Sequence, residues 1–279
     1  MSWRRVLFVF LMGIVLAVPA RAEKSRVLVL AGTSIVADVL QDLCGEWAEV
    51  RSLIPGGACP GHYDLRPGDL RFLHHADLLV LEPFQTELPN MQDLVRAAEN
   101  KNLNTLVMPG VGAGMLPETQ RVYSRALAAR LARLWPERGS ELEQAVAERV
   151  GRIDRVEFES RRELHKANAL GTTALCSSMQ KAFACWAGMA VAMEYLRPES
   201  MAPEDFEQLL LIGRERNVRV VLDNLQSGPG AGRGLAESLD AGQADLTSFP
   251  GALPGEDDWE SAFRGNVQRL ILALKQGHQ

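Results

Sequence analysis

The chain carries at residues 139–168 the stretch GSELEQAVAERVGRIDRVEFESRRELHKAN, which decides its fold. Glutamate and arginine are abundant in it. Its sparse apolar residues recur at the spacing of one helix face: Leu142, Val146, Val150, Ile153, Val156 and Leu164. At about 1.5 Å per residue, a helix of this length is on the order of 45 Å long. Such a helix can run the length of a small domain and join it to the next.

The segments on both sides of this helix alternate between strand-like and helix-like patterns. Before it, short apolar runs that predict buried parallel strands occur at residues 26–31, 50–54, 77–81 and 105–108. After it, similar runs occur at residues 172–176, 189–195, 218–223 and 244–249. Helical spacing fills the intervals, which is the order expected of parallel sheets covered by helices on both faces.

These patterns predict an α/β fold of two doubly wound lobes with parallel sheets, joined by one long linker helix. The N-terminal α/β lobe covers residues 23–136, the linker helix 137–168, and the C-terminal α/β lobe 169–279. In open α/β sheets, ligands bind beyond the carboxyl ends of the strands. Two such sheet edges facing each other predict a cleft that clamps a small ligand.

Residues 1–22 have the pattern of a secretory signal peptide. Arg4 and Arg5 precede an apolar run over residues 6–18, and the small-residue pattern ending at Ala22 predicts cleavage there. The alternative is an uncleaved anchor. Cleavage would export the protein to the periplasm and remove three arginines, which changes the net charge from −5 to −8. An acidic mature chain does not favour binding to nucleic acid.

The loop after the second predicted strand reads LIPGGACPGHYDLRPGDL over residues 53–70, and Ala76-Asp-Leu78 follows it. This loop resembles the form G-A-D-P-H-x-Y-E-P-x-P-x-D of the zinc/manganese-type solute-binding proteins of ABC importers. The resemblance implies a monomeric periplasmic substrate-binding protein rather than an enzyme. It would bind a metal ion or metal complex between its lobes and deliver it to an inner-membrane ABC permease and its ATPase.

The metal ligands that the resemblance implies are not in their usual places. Gly61 stands where the family has its first histidine, and Gly112 lies near the position of the second. The third ligand would follow the first strand of the second lobe, where this chain has residues 176–180. The fourth, an acid, meets Ser248. The site is therefore rebuilt from other groups, or the ligand is not a bare divalent cation.

Four residues at predicted strand ends could rebuild a metal site, namely Cys59, His62, Cys176 and Met179. Thiolate, imidazole and thioether together favour zinc or copper. Two alternatives stay open: an interdomain disulfide between Cys59 and Cys176, or two partly buried free thiols. The other two cysteines, Cys44 and Cys185, are expected in the core.

Five further residues are candidates for ligand contact. Tyr63 and Asp64 lie in the loop described above, although both could instead shape its turn. Gln180 follows the first strand of the second lobe. Asp223 and Asn224 precede the glycine-rich turn at residues 228–232, which could hold an anion or simply cap the next helix.

Two other classes of exported protein share this pattern. A periplasmic metal chaperone or sensor of the same fold cannot be separated from a transport receptor by sequence. An exported α/β enzyme is disfavoured because the chain has no G-x-S-x-G nucleophile motif.

Overall fold

The computed structural model describes residues 26–64, 66–228 and 230–277, and the predicted signal peptide lies outside them. The first lobe contains, in chain order, β1 (Val27–Thr33), α1 (Ser34–Cys44), β2 (Ala48–Ile54), α2 (Pro67–His75), β3 (Leu78–Leu81), α3 (Pro89–Ala97) and β4 (Asn104–Val107). Two long helices follow, α4 (Pro117–Leu134) and α5 (Gly139–Lys166). The second lobe contains β5 (Thr173–Ser177), α6 (Lys181–Trp186), β6 (Ala190–Tyr195), α7 (Pro203–Glu215), β7 (Val220–Asn224), α8 (Gly230–Leu239), β8 (Gly242–Leu246) and α9 (Trp259–Gln276).

Each lobe contains one parallel sheet of four strands, in the order β2-β1-β3-β4 and β6-β5-β7-β8. The two orders are equivalent, and they confirm the predicted fold. The order reverses direction between β1 and β3 in the first lobe, and between β5 and β7 in the second. Crevices at such reversal points are where open α/β sheets bind their ligands.

The linker helix is α5, which has 28 residues. It begins at Gly139, the first residue of the stretch whose apolar spacing predicts the helix, and Pro136–Arg138 form a separate 3-10 turn before it. Its C-cap is Ala167, and Asn168 beyond it adopts a positive φ of 54°. This left-handed conformation ends the helix, since a continuing helix requires negative φ.

One hydrophobic cluster runs through both lobes. It includes Val36 of α1, Ile153 of α5 and Phe263 of α9, all fully buried. The linker helix therefore packs against both lobes instead of spanning open solvent. Because interiors of this kind are closely packed, this shared core limits the freedom of one lobe to move against the other.

The cysteines in helices differ in their surroundings. Cys44 ends α1 in the core, as expected, and burial raises the pKa of its thiol to about 12. Cys185 was expected in the core but is exposed. On the short helix α6, the buried residues are Phe183 and Ala184. The next residue is rotated by about 100° and faces outward.

Within the described parts of the chain, no helix combines the length and the apolar character needed to cross a membrane.

A buried ion cluster joins the linker to the first lobe. The Arg149 side chain on α5 is 3% exposed, and its Nη2 donates to Asp38 Oδ2 at 2.6 Å and to Gln120 Oε1 at 2.7 Å. It also pairs with Asp42. One turn along α5, Arg152 pairs with Asp42 and with Glu260 of α9, the latter at 2.6 Å. The cluster thus connects both lobes through α5.

Removing the Arg149 guanidinium should destabilise the protein strongly, since it leaves Asp38 buried without its counter-ion. We expect Arg149→Ala to lower the free energy of unfolding by about 3–5 kcal/mol, as measured by urea denaturation. Arg96→Ala is the matched control, because Arg96 forms an ion pair with Asp93 in which both side chains are more than half exposed. An equal effect of the two substitutions would contradict this role of Arg149.

Candidate functional site

The reversal point of the first sheet carries a buried carboxyl group. Glu82 follows β3 and is 6% exposed. Thr33, at the end of β1, donates its hydroxyl to Glu82 Oε2 at 2.7 Å, and the Tyr123 hydroxyl lies 3.3 Å from Oε1. Burial raises the pKa of Glu82, and the two hydroxyl donors only partly oppose this effect.

Gln85 fills the space beside Glu82. Its side chain is fully buried, and its Oε1 accepts a hydrogen bond from the Glu82 backbone N–H at 3.1 Å. Its Nε2 has no hydrogen-bond partner among the residues that the structure describes. A Cβ atom at Gly32 would lie 2.1 Å from Gln85 Oε1, so a larger residue at that point of β1 would displace the Gln85 amide. The carboxyl end of the first sheet thus encloses a buried polar group of Glu82 and Gln85.

The reversal point of the second sheet carries neutral amides and hydroxyls. Gln180 follows β5, and its Nε2 donates to Asn224 Oδ1 at 2.8 Å and contacts Ser248 Oγ at 3.2 Å. Ser248 Oγ also donates to Asn224 Oδ1 at 2.8 Å, and Asn224 Nδ2 donates to Ser227 Oγ at 2.8 Å. These strand-end residues form one continuous network that contains no charged side chain.

Direct hydrogen bonds cross the cleft between the lobes. Gln226 Nε2 in the second lobe donates to the Gly56 carbonyl in the first at 2.8 Å. Ser34 Oγ donates in the opposite direction, to the Pro250 carbonyl at 2.7 Å. Arg197, just after β6, donates from Nη1 to Cys59 Sγ at 3.0 Å. The two sets of strand ends therefore face each other in a closed arrangement.

Of the four predicted metal-binding residues, three lie at the surface or edge of the cleft and one is buried in the core. Cys59 is half-buried and precedes a 3-10 turn over Pro60–His62, in which His62 is exposed. Met179 is 48% exposed at the second sheet's mouth. Cys176 instead lies inside β5 in the hydrophobic cluster, and burial raises the pKa of its thiol to about 12. Within the described residues, no three His, Cys, Asp or Glu side chains are grouped so as to hold a metal ion.

All four cysteines are free thiols. The suggested disulfide between Cys59 and Cys176 is therefore not formed. The thiol of Cys59 is used instead as the acceptor for Arg197.

The predicted ligand-contact residues also separate into two groups. Gln180 and Asn224 meet at the mouth of the second sheet, as described above. Asp223 is 2% exposed and turned away from that mouth, because its carboxylate accepts hydrogen bonds from the backbone N–H groups of Asn224 and Gly232, both near 2.9 Å. It therefore caps α8. Burial is the main reason that its pKa is raised.

In the loop of the first lobe, the Tyr63 ring is buried and its hydroxyl lies 3.5 Å from Asp69 Oδ2. Asp64 beside it is exposed. Tyr63 therefore supports the loop, as the alternative interpretation held. Three functional candidates were missed by the sequence analysis: Arg197, Ser34 and Glu82. Each is a single polar residue at or just after the end of a strand, and its neighbours in the sequence form no motif that predicts a functional site.

Two α/β lobes with a shared core, one connecting helix and facing strand ends define a two-lobed ligand-binding protein. Residues 29–273 match the family model of ZnuA, described as zinc-uptake complex component A, periplasmic, and the chain belongs to this family. It is also 26% identical over 83 residues to the metal ABC transporter substrate-binding lipoprotein SsaB of Streptococcus sanguinis. That match spans 30% of this chain and 27% of the relative.

Solved structures of similar fold cover almost the whole described chain. A crystal structure of ZnuA superposes with a TM-score of 0.75 at 18% identity, over 89% of this chain and 99% of that one. A periplasmic metal binding protein from Candidatus Liberibacter asiaticus superposes with a TM-score of 0.76 at 14% identity, over 89% of this chain and 100% of that one. At such low identity these likenesses establish the fold and leave the site to be argued from its own residues.

The tight approach of the lobes at Gly56 gives a direct test of the closed cleft. A Cβ atom at Gly56 would lie 1.9 Å from the Pro250 carbonyl oxygen, whereas a Cβ atom at Gly57 would meet only the Ala252 carbonyl at 3.9 Å. Gly56→Ala should therefore push the lobes apart, raise the radius of gyration in small-angle X-ray scattering and cost about 1–3 kcal/mol of stability. Gly57→Ala should leave both unchanged, and equal behaviour of the two variants would disprove the contact.

The buried carboxyl group of Glu82 should make stability depend on pH. Because its folded-state pKa is raised, its protonated form stabilises the fold fully at acid pH, and this stability is lost as pH rises through the folded pKa. Glu82→Gln, which is always neutral, should therefore raise the Tm by a few degrees at pH 8 and by progressively less toward pH 4.5. Glu87 provides the control, Glu87→Gln, because it is exposed at the end of the 3-10 turn Pro83–Glu87 that follows Glu82. A pH-independent difference between Glu82→Gln and wild type would contradict the prediction.

Proposed function

We propose that this chain is the substrate-binding component of a metal-type ABC importer. It captures its cargo in the periplasm between its two lobes and delivers it to a membrane permease and its ATPase. One observation carries the proposal: polar strand ends at the reversal points of both sheets meet across the cleft, joined by the hydrogen bond from Gln226 to Gly56. This is where a parallel α/β sheet places its ligand.

The cargo contains a metal in this proposal. The family is described by its role in zinc uptake, and its solved relatives include a zinc-bound ZnuA variant and a manganese-bound periplasmic protein. We favour zinc for this chain, since a thiol and an imidazole are available at the cleft and both suit that metal. Copper would suit the same donors, but the family description names only zinc.

Cys59 and His62 are the proposed metal-contacting residues. They lie in the loop after β2, where Cys59 precedes the 3-10 turn Pro60–His62 and the His62 backbone N–H donates to the Cys59 carbonyl at 3.1 Å. Met179 faces solvent at the opposite edge of the cleft. Cys176 could join them only if β5 left the core, so we do not assign it a direct contact in the closed arrangement. Gln180 and Asn224 contact the cargo from the second lobe.

Metal analysis of protein purified from the periplasm tests this proposal. We expect wild-type protein to retain zinc, and Cys59→Ser to bind zinc about tenfold or more weakly in isothermal titration, since one ligand is lost. Cys185→Ser is the matched control, because Cys185 is an exposed thiol on α6 outside the cleft. Binding that survives in both variants would move the metal site elsewhere. A wild-type protein that binds no metal in any form would refute the function.

A further inference from the structure

We infer that the cargo of this cleft is a metal chelate with negatively charged oxygen atoms, and not a bare divalent cation. This inference rests on the proposed function and names the chemical class of the cargo. Three observations support it: the amide donors at the strand ends of the second lobe, the positive charge of Arg197, and the enclosed positions of the two buried carboxyl groups near the cleft.

The second lobe carries buried hydrogen-bond donors at the strand ends that border the cleft, and each of them is paired within the protein. Three primary amides lie at its strand ends. The Gln180 side-chain nitrogen donates to Asn224 Oδ1, and that of Asn224 donates to Ser227 Oγ. The Gln226 side-chain nitrogen donates to Thr247 Oγ1 and to the Gly56 carbonyl. Amide and hydroxyl hydrogens carry partial positive charge and bind oxygen atoms. A cation offers no acceptor and cannot take over the hydrogen bonds that these N–H groups make, whereas a ligand with carboxylate oxygens can.

Arg197 adds a full positive charge to this surface. It reaches across the cleft from the end of β6, its side chain is 29% exposed, and it donates to Cys59 Sγ at 3.0 Å. The carboxylate of Glu199 lies 4.0 Å away and is itself 52% exposed, so it screens the guanidinium weakly. A guanidinium has five donors, no acceptor, and a fork shape that matches a carboxylate. A dication bound beside it would face a like charge.

The two buried carboxyl groups near the cleft do not balance this charge. Asp223 accepts hydrogen bonds from two backbone N–H groups and caps α8. Glu82 is enclosed by Thr33 and Tyr123 inside the first lobe. Bare transition-metal sites are built from thiolate, imidazole and carboxylate ligands, and the described residues bring no three such side chains together.

The two sides of the cleft thus suit the two parts of a chelate. Cys59 and His62 in the first lobe offer soft donors to the metal. Arg197 and the amides of the second lobe offer hydrogen bonds to the oxygen atoms that surround it. The contact between Arg197 and Cys59 marks where these two surfaces meet.

Three probes distinguish the forms of cargo: zinc chloride, the one-to-one zinc–citrate complex, and sodium citrate. Each is titrated into the full mature protein by calorimetry, and the retained zinc and citrate are measured after gel filtration. We expect zinc–citrate to bind at least tenfold more tightly than either component alone. Arg197→Ala should weaken zinc–citrate binding by roughly tenfold to a hundredfold, as expected for one charge-assisted hydrogen bond. The same substitution should strengthen the binding of zinc chloride, because it removes a like charge beside the proposed metal ligand Cys59.

Control variants separate this effect from damage to the fold. Arg214→Ala also removes one positive charge, from an exposed position at the C-terminal end of α7. This end of α7 leads into the edge of the second sheet that lies opposite the cleft. The variant should therefore bind all three probes like wild type. Arg197→Lys keeps the charge and should recover part of the affinity. Gln180→Glu places a carboxylate among the amides, and should weaken zinc–citrate binding while strengthening the binding of zinc chloride.

Each result has a defined consequence. If zinc chloride binds as tightly as zinc–citrate and Arg197→Ala has no effect, the cargo is a bare ion: the inference is wrong and the proposed function stands. If citrate alone binds as tightly as the complex, the site recognises an organic anion, and the inference is wrong. If wild-type protein binds none of the three probes, both the inference and the proposed function are rejected.

Discussion

The buried guanidinium of Arg149 is the constraint on which the rest of the structure depends. A charge taken out of water is unfavourable unless its partners stay in place, so Arg149 fixes Asp38 on α1 and Gln120 on α4 relative to α5. Asp38 in turn accepts a hydrogen bond from the Trp259 backbone N–H at 3.1 Å, and the indole of Trp259 donates to the Met115 carbonyl at 2.9 Å. The start of α9 in the second lobe is thereby fixed to the first lobe, which sets the separation of the lobes at the cleft.

Most of the fold could be predicted from sequence because the central strands of both sheets are short and mostly buried on both faces. All four residues of β3 are buried, for example, and a short apolar run between helical patterns predicts such a strand well. The linker was predicted from its charged face and sparse apolar stripe. Its start at Gly139 agrees with that prediction, whereas it ends at Lys166 because Asn168 adopts a left-handed backbone conformation.

The site was less predictable, for reasons that differ between residues. The sequence predicts that β5 ends near Cys176, but it does not predict which face of the strand carries the thiol. In the structure the thiol of Cys176 lies in the core, whereas Gln180 lies at the carboxyl end of the sheet and donates to Asn224. Asp223 lies near the end of a strand as predicted, but its carboxylate is held inside the lobe by the Gly232 N–H of the glycine-rich turn. Arg197 contacts a residue 138 positions earlier in the chain. No local pattern records a contact of that kind.

The hydrogen bonds across the cleft also bear on selectivity. Gln226 donates to Gly56 and to Thr247, and its Oε1 accepts from the Ser248 backbone N–H at 3.0 Å. A cargo that enters the cleft must replace such bonds, since a buried amide left without a partner costs about 1–3 kcal/mol. A spherical cation can satisfy acceptor oxygens only and would leave the amide hydrogens unpaired. A cargo with several oxygen atoms can satisfy them, so the closed network itself selects for oxygen-rich ligands.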